Sequence, residues 1–325
     1  MQGFRCHLCL FIIVGFLVSC NSGKKPYFLP SALGESFELV IVKPDNVFKD
    51  EFYKKLISFL TIDIGPAPQQ ENILSITEVN NKTFKGLLRR HKNLLFIIQD
   101  DSFGITIKKD LYAKGQLVII VKCPSYDLLI QKEEQVNHIV KSIKEIEFER
   151  WNTGLASSQN KELKTIIKHT HGITLPVPKN FFMAHADSNV TWIRRETNKM
   201  SQGIVVLNCE NNTFFKGNVS EQEVEVFILN HIDSVVNLHI EGSTQGSFMK
   251  TDRDAPRLLT RVNHNKFRLQ SMWHMANDFM GGVYLAELLQ NERIIYIYLY
   301  APGEEKRIPL LQLESIITSA REVEE

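Results

Sequence analysis

The sequence predicts an α+β protein: two related units of antiparallel sheet packed with helices, the second extended by a C-terminal β-meander and a closing helix. Three observations predict it. Residues 257–300 hold four consecutive strand candidates joined by short turns, which suits antiparallel neighbours and leaves no room for crossovers. Amphipathic helices follow runs of strands instead of alternating with single strands. Residues 105–123, ITIKKDLYAKGQLVIIVKC, align without a gap on residues 191–209, TWIRRETNKMSQGIVVLNC, at an offset of 86. Ile107 then matches Ile193, Gln116 matches Gln202 and Cys123 matches Cys209. This points to an internal duplication, against which stands the generic strand–turn–strand pattern that any hairpin shares.

At the N-terminus, Arg5 precedes an apolar run over 8–18 that closes on Leu17-Val18-Ser19-Cys20. The run is too short to span a bilayer and is flanked like the core of a signal peptide. Residues 1–19 are expected to be removed, making Cys20 the first mature residue and the carrier of lipid, palmitate included. The pair Cys6 and Cys9 lies inside that signal and carries no redox or metal reading. Residues 20–34 are polar, contain Gly23 and Pro26, and read as a tether. With no acidic residue beside Cys20, the expected location is the outer membrane, lipid-anchored and periplasm-facing. Residues 35–156 and 157–325 make the two units, divided in the Gly-, Ser- and Asn-containing stretch 152–160.

The composition is globular, with 43% hydrophobic and 23% charged residues. Loss of Arg5 with the signal leaves 37 basic and 37 acidic side chains. That balance favours neither nucleic-acid binding nor a polybasic membrane surface, so membrane contact falls to the lipid on Cys20.

Within the first unit, residues 38–42 read as a buried strand, and Asp45 as the N-cap of a helix presenting Phe52, Leu56, Phe59 and Leu60. Residues 73–79 form a strand candidate and 83–90 a short helix. The basic cluster Arg89-Arg90-His91-Lys92 suits that helix's C-terminus, or else a phosphate site. Val136, Ile139, Val140 and Ile143 mark the helix after the first copy of the repeat. Ser220 and Glu223 form a capping box that opens the helix after the second. Strand candidates follow at 257–262, 267–275, 282–289 and 293–300, and Pro309 sits in the first turn of the closing helix. Cys123 and Cys209 read as buried small hydrophobes or as a bridge between units.

The densest cluster of unusual residues is at 273–284. There Gly281 and Gly282 follow the polar pair Asn277-Asp278, permitting a tight turn, a bulge or close approach of a ligand to backbone. On the last strand Ile295, Ile297 and Leu299 alternate with Tyr296, Tyr298 and Tyr300, placing aliphatics on one face and tyrosines on the other. The tyrosines either line a core or form an aromatic platform for a glycan or protein partner. Trp273, Asn277, Asp278, Gly281, Gly282, Tyr284, Tyr296, Tyr298 and Tyr300 are therefore the candidate binding residues.

These residues carry a resemblance. Leu29-Pro30-Ser31-Ala32-Leu33-Gly34, the element Asn277-Asp278-Phe279-Met280-Gly281-Gly282 with Trp273 before it, Tyr300-Ala301-Pro302, Lys306-Arg307 and Gln312-Leu313-Glu314 resemble a lipoprotein family of Bacteroidota known as domain of unknown function 4837. The resemblance spans nearly the whole mature chain. It departs where the family has Pro-Phe after the two glycines and this chain has Val283-Tyr284. It implies a lipoprotein with a shared fold and brings no activity, cofactor or catalytic residue.

Residue chemistry adds no catalytic signature. There is no nucleophile elbow, phosphate-cradling glycine loop or dinucleotide fingerprint. His169 and His171 are two imidazoles without a third ligand at recognisable spacing, so no metal site or cofactor is expected. Asp252 with Asp254, and Asp278 with Glu287, are the candidate carboxylate pairs. The expected function is a non-enzymatic binding or envelope-assembly module. The alternative is an envelope hydrolase or transferase with its site near 273–284, using Asp278 with a histidine such as His274.

Overall fold

The computed structural model describes residues 28–45, 48–209, 213–215, 219–290 and 293–323. Cys20, the signal and residues 20–27 of the tether lie outside the described residues. Residues 30–34 are bonded to the first unit: Ala32 N–H donates to Lys114 O, and Leu33 N–H to Arg90 O.

The first sheet contains β1 (Glu38–Lys43), β2 (Ser75–Asn80), β3 (Asn93–Ile98), β4 (Gly104–Lys109) and β5 (Leu117–Lys122), in the order β2-β1-β3-β5-β4. Helices α1 (Asp50–Leu60), α2 (Tyr126–Gln131) and α3 (Glu133–Leu155) belong to it. The second part opens with α4 (Lys161–His171) and β6 (Ile173–Thr174). It continues through β7 (Phe182–Ala186), β8 (Val190–Glu196), β9 (Ser201–Asn208) and α5 (Glu221–His239). Then come β10 (Phe248–Thr251), β11 (Leu258–Asn263), β12 (Lys266–Ala276), β13 (Gly281–Leu289) and β14 (Arg293–Tyr300), closed by α6 (Arg307–Thr318) and β15 (Arg321–Glu322). The large sheet runs β10-β12-β13-β14-β9-β8-β7, with β11 also paired to β12. The α+β class, the antiparallel meander and the closing helix are all present.

The first sheet departs from expectation. β1–β2, β1–β3 and β3–β5 pair in parallel, and only β4–β5 is antiparallel. Its inner strands Leu39–Val42, Leu94–Ile97 and Leu117–Val121 are continuous apolar runs, the pattern of strands buried on both faces. The duplication fails on the same ground. The matched hairpins β4–β5 and β8–β9 are both antiparallel, but the preceding strand joins them differently. β3 pairs with β5, whereas β7 pairs with β8. Their registers differ too: Ile107 faces Ile119, while its match Ile193 faces Ile204, one place short of the offset. The alignment reports shared hairpin chemistry, and the two units are not related copies.

One core runs between the two sheets. Leu39, Ile41, Leu95 and Ile119 of the first sheet, Leu56 of α1, Ile139 and Ile143 of α3, and Leu313 and Ile317 of α6 join Ile295, Ile297 and Leu299 of β14 in a single cluster. A second cluster lies on the other face of the large sheet, where Val224, Ile228 and Ile232 of α5 cover Tyr284, Tyr296 and Tyr298. The alternation along β14 is therefore core on both sides. The Ser220–Glu223 capping box starts α5 as read from sequence. Cys123 lies in the first cluster and Cys209 in the second, and the two are not bridged.

The joint between meander and helices is ionic. Glu287 is fully buried on β13 and accepts from Lys266 at 2.7 Å and from Arg268 Nε at 3.1 Å. Arg268 also reaches Glu314 on α6 at 2.5 Å, and Lys144 of α3 meets the same carboxylate at 2.7 Å. Burial alone would lower the Arg268 pKa, but Glu314 and Glu287 raise it above its ordinary value. Across the units, the Glu71 carboxylate accepts from Lys306 N–H and Arg307 N–H, 2.8–3.0 Å away, satisfying the free amides at the start of α6.

Arg268→Met leaves two buried carboxylates short of a partner, so urea unfolding should show a loss of about 3–5 kcal/mol. A loss under about 1 kcal/mol would mean that Lys266 and Lys144 suffice.

Candidate functional site

The hairpin of β12 and β13 carries the predicted corner at its tip. Asn277 takes the left-handed conformation, with φ of 60°, which asparagine tolerates better than most residues. Gly281 and Gly282 are not among the residues at positive φ and answer a different need. A Cβ on Gly282 would stand 2.0 Å from Leu299 O of the neighbouring strand, and one on Gly281 would stand 3.0 Å from Trp273 O. They are glycine because backbone lies against them. Gly203 plays the same part on β9, where the Tyr298 ring lies over its Cα and a Cβ would meet Cε1 at 2.0 Å.

Asp278 holds a loop. Its Oδ2 accepts from Ser243 N–H at 2.9 Å, Ser243 Oγ at 2.7 Å and Thr244 N–H at 3.2 Å, and its Oδ1 accepts from Phe279 N–H at 2.7 Å. The Ser243 hydroxyl, then the backbone amides, lower its pKa. His274 lies elsewhere on the strand, with Nδ1 3.9 Å from Asp252 Oδ2. Glu287, the other proposed partner of Asp278, is held by Lys266 and Arg268. The Asp278–His274 pair and the Asp278–Glu287 pair are thus not formed.

Trp273, Tyr284, Tyr296 and Tyr298 are each at most 3% exposed. Trp192 Nε1 donates to Tyr298 Oη at 3.2 Å, and burial lifts the hydroxyls of Tyr284, Tyr296 and Tyr298 above the ordinary tyrosine range. An exposed aromatic platform along β14 is therefore not what the alternation makes. Instead, Trp273, Tyr298 and Tyr300 form the inner wall of a cleft of about 220 Å³. Met275 and Met280 line it from the meander, Met249 from β10, Ile240 and Glu241 from the end of α5, and Arg194 from β8. Trp273 Nε1 has no hydrogen-bond partner among the described residues. Beside the cleft, Phe279 at the hairpin tip stands fully in solvent, with 108% relative exposure. Sequence singled out this corner, with Met275 and Met280 in it, but did not place Met249 or Arg194 there, which join it only when β10 and β8 flank the meander.

A larger cavity, about 410 Å³, opens between α3, residues 178–181 and α6. Its polar groups serve the joint. Gln202 donates to Pro309 O at 3.0 Å and accepts from Arg195 at 3.0 Å, and Asn152 donates to Ser319 Oγ at 2.7 Å.

The other sequence candidates are absorbed by structure. His169 and His171 lie on a helix, not an extended segment, and His171 is buried between Asn208 Oδ1 at 2.7 Å and Thr191 Oγ1 at 2.8 Å. Burial lowers its pKa and keeps it neutral. Arg90 binds Ser31 O, and Arg89 packs over Phe84 and Tyr112, so the basic cluster pins the N-terminal strap. Asp252 Oδ1 accepts from Asp254 N–H, a local turn.

A grouping that sequence missed joins His185 and Asp187, beside β8, to His239 at the end of α5. Their ligand atoms all lie within 4.8 Å of one another. His239 is remote in sequence from the other two, and only the fold brings it to them.

Residues 159–319 match the family model of domain of unknown function DUF4837, and residues 32–156 match that of domain of unknown function DUF8532. The resemblance expected over nearly the whole mature chain thus divides between two families at the junction of α3 and α4. A search of curated proteins finds no match.

Asp278→Ala should speed amide exchange at Ser243 and Thr244. In the wild type, the same acceleration should appear as acid protonates Asp278. The stabilisation is full above the unfolded carboxyl pKa, about 3.9, and lost as pH falls through the lower folded value. Unchanged exchange in the variant would show that the loop holds itself.

Proposed function

We propose that this chain, which carries a DUF4837 unit over residues 159–319, is a lipoprotein of the cell envelope that acts by binding a protein partner, not by catalysis. In this reading Cys20 bears the lipids and tethers the body to the outer membrane on the periplasmic side. The apolar run before Cys20 and the absence of an acidic residue next to it support that placement. No helix among the described residues is long and apolar enough to cross a membrane.

The observation that carries the binding reading is the hairpin tip. Asp278 gives its carboxylate to the Ser243–Thr244 loop, while Phe279 beside it is left fully exposed at the rim of a methionine-lined cleft. An enzyme would keep its acid in the cleft with a positioned partner; here the acid is structural. An exposed aromatic next to flexible, polarisable methionines suits a protein surface that re-packs around a side chain. A glycan platform would present flat rings, and the rings of Tyr284, Tyr296 and Tyr298 are buried.

A photo-crosslinking residue at position 279, in the chain expressed in its own envelope, should trap a protein that the same residue at exposed Leu258 does not. Phe279→Ser should weaken co-purification of that protein. Equal yield at both positions would overturn the proposal. For the anchor, Cys20→Ala should lose lipid labelling and shift from the membrane to the soluble fraction, and unchanged fractionation would refute it.

A further inference from the structure

The geometry points to a divalent-cation site formed by His185, Asp187 and His239, of the kind that takes zinc or a similar borderline metal. Two imidazoles and one carboxylate are a recurrent donor set for such ions, with further coordination positions left for water or an external ligand.

Local structure builds each ligand. β7 is an edge strand, and its pairing with β8 shifts register between Met183 and His185. The irregularity leaves His185 opposite Trp192, on the face that α5 covers. Asp187 begins the turn into β8. Its Oδ1 accepts from Asn189 N–H at 2.7 Å and Val190 N–H at 2.8 Å, which fixes the carboxylate and leaves Oδ2 facing His185 Nε2 at 2.9 Å. His239 is the last residue of α5, where the negative end of the helix dipole favours a cation. Its ring stacks on that of His185 with centroids 4.0 Å apart.

The dimensions suit a metal. Ligands about 2.0–2.1 Å from tetrahedral zinc are about 3.4 Å from one another. The three ligand atoms here lie within 4.8 Å. The His185 and Asp187 side chains are 33% and 45% exposed, which leaves them room to rotate toward a shared ion. The same exposure leaves the site open on one side. The turn amides that orient Asp187 are the kind of outer support metal sites use to fix their ligands. Ile240, the residue after His239, lines the cleft at the hairpin tip, so a bound ion would sit one residue along the chain from that surface.

The test is zinc titration of the full chain in detergent by calorimetry, with cobalt as a spectroscopic probe of geometry. The wild type should bind one equivalent that His185→Ala, Asp187→Asn and His239→Gln each weaken by about tenfold or more. His264→Ala, a histidine on the exposed β11–β12 turn, should bind as the wild type does. All three variants should keep the wild-type circular dichroism, since none of the side chains is core. If a variant misfolds, the other two and the cobalt spectrum still decide. Binding that survives all three substitutions, or no zinc bound at about 100 μM, overturns the site.

Discussion

The structure depends most on how it manages buried charge at one joint. Glu287 lies in the middle of the meander and Glu314 on the inner face of the closing helix, both almost without solvent. Arg268 bridges them, and Lys266 and Lys144 complete the neutralisation from β12 and α3. Two desolvated carboxylates cannot stay ionised unless cations meet them at hydrogen-bonding distance. The network therefore ties α6 to the large sheet, because Arg268 of β12 bonds both Glu287 of β13 and Glu314 of α6. With α6 placed, Leu313 and Ile317 pack onto Ile295 and Ile297, and the first sheet closes over the same core through α1 and α3.

That arrangement decides which face is left for function. The side of the large sheet toward α6 is shared core. The side toward α5 is core where Val224, Ile228 and Ile232 pack on it, and a cleft opens where α5 ends at His239 and the chain turns through residues 240–244 to β10. The cleft of Met249, Met275, Met280 and Tyr300, the exposed Phe279, and the His185–Asp187–His239 group all lie around this end. Asp278 anchors the 243–244 turn to the hairpin tip, so the rim of the cleft is held by charge-assisted bonds.

Local chemistry was legible in the sequence. The capping box of α5, the meander of β11 to β14 and the two-faced β14 all follow from turn residues and period-two alternation. The mixed first sheet is written in Leu94–Ile97 and Leu117–Val121, continuous apolar runs of the kind that strands buried on both faces carry. Pairwise similarity reports a strand–turn–strand, and it carries no information on whether a third strand joins its first or second member. The role of Tyr296 and Tyr298 turned on whether α5 covers that face, which no residue of β14 encodes. The histidine–aspartate group was invisible because His239 and His185 are brought together by the packing of a helix end on an edge strand.

A hairpin tip that binds a partner in the envelope, as proposed, is protected there. Hydrogen exchange of the full chain in its native membrane, compared with the detergent-purified chain, tests it most directly. Slower exchange is expected at residues 277–281 in the native membrane, with β11 unchanged. Equal exchange at the tip in both preparations would contradict it.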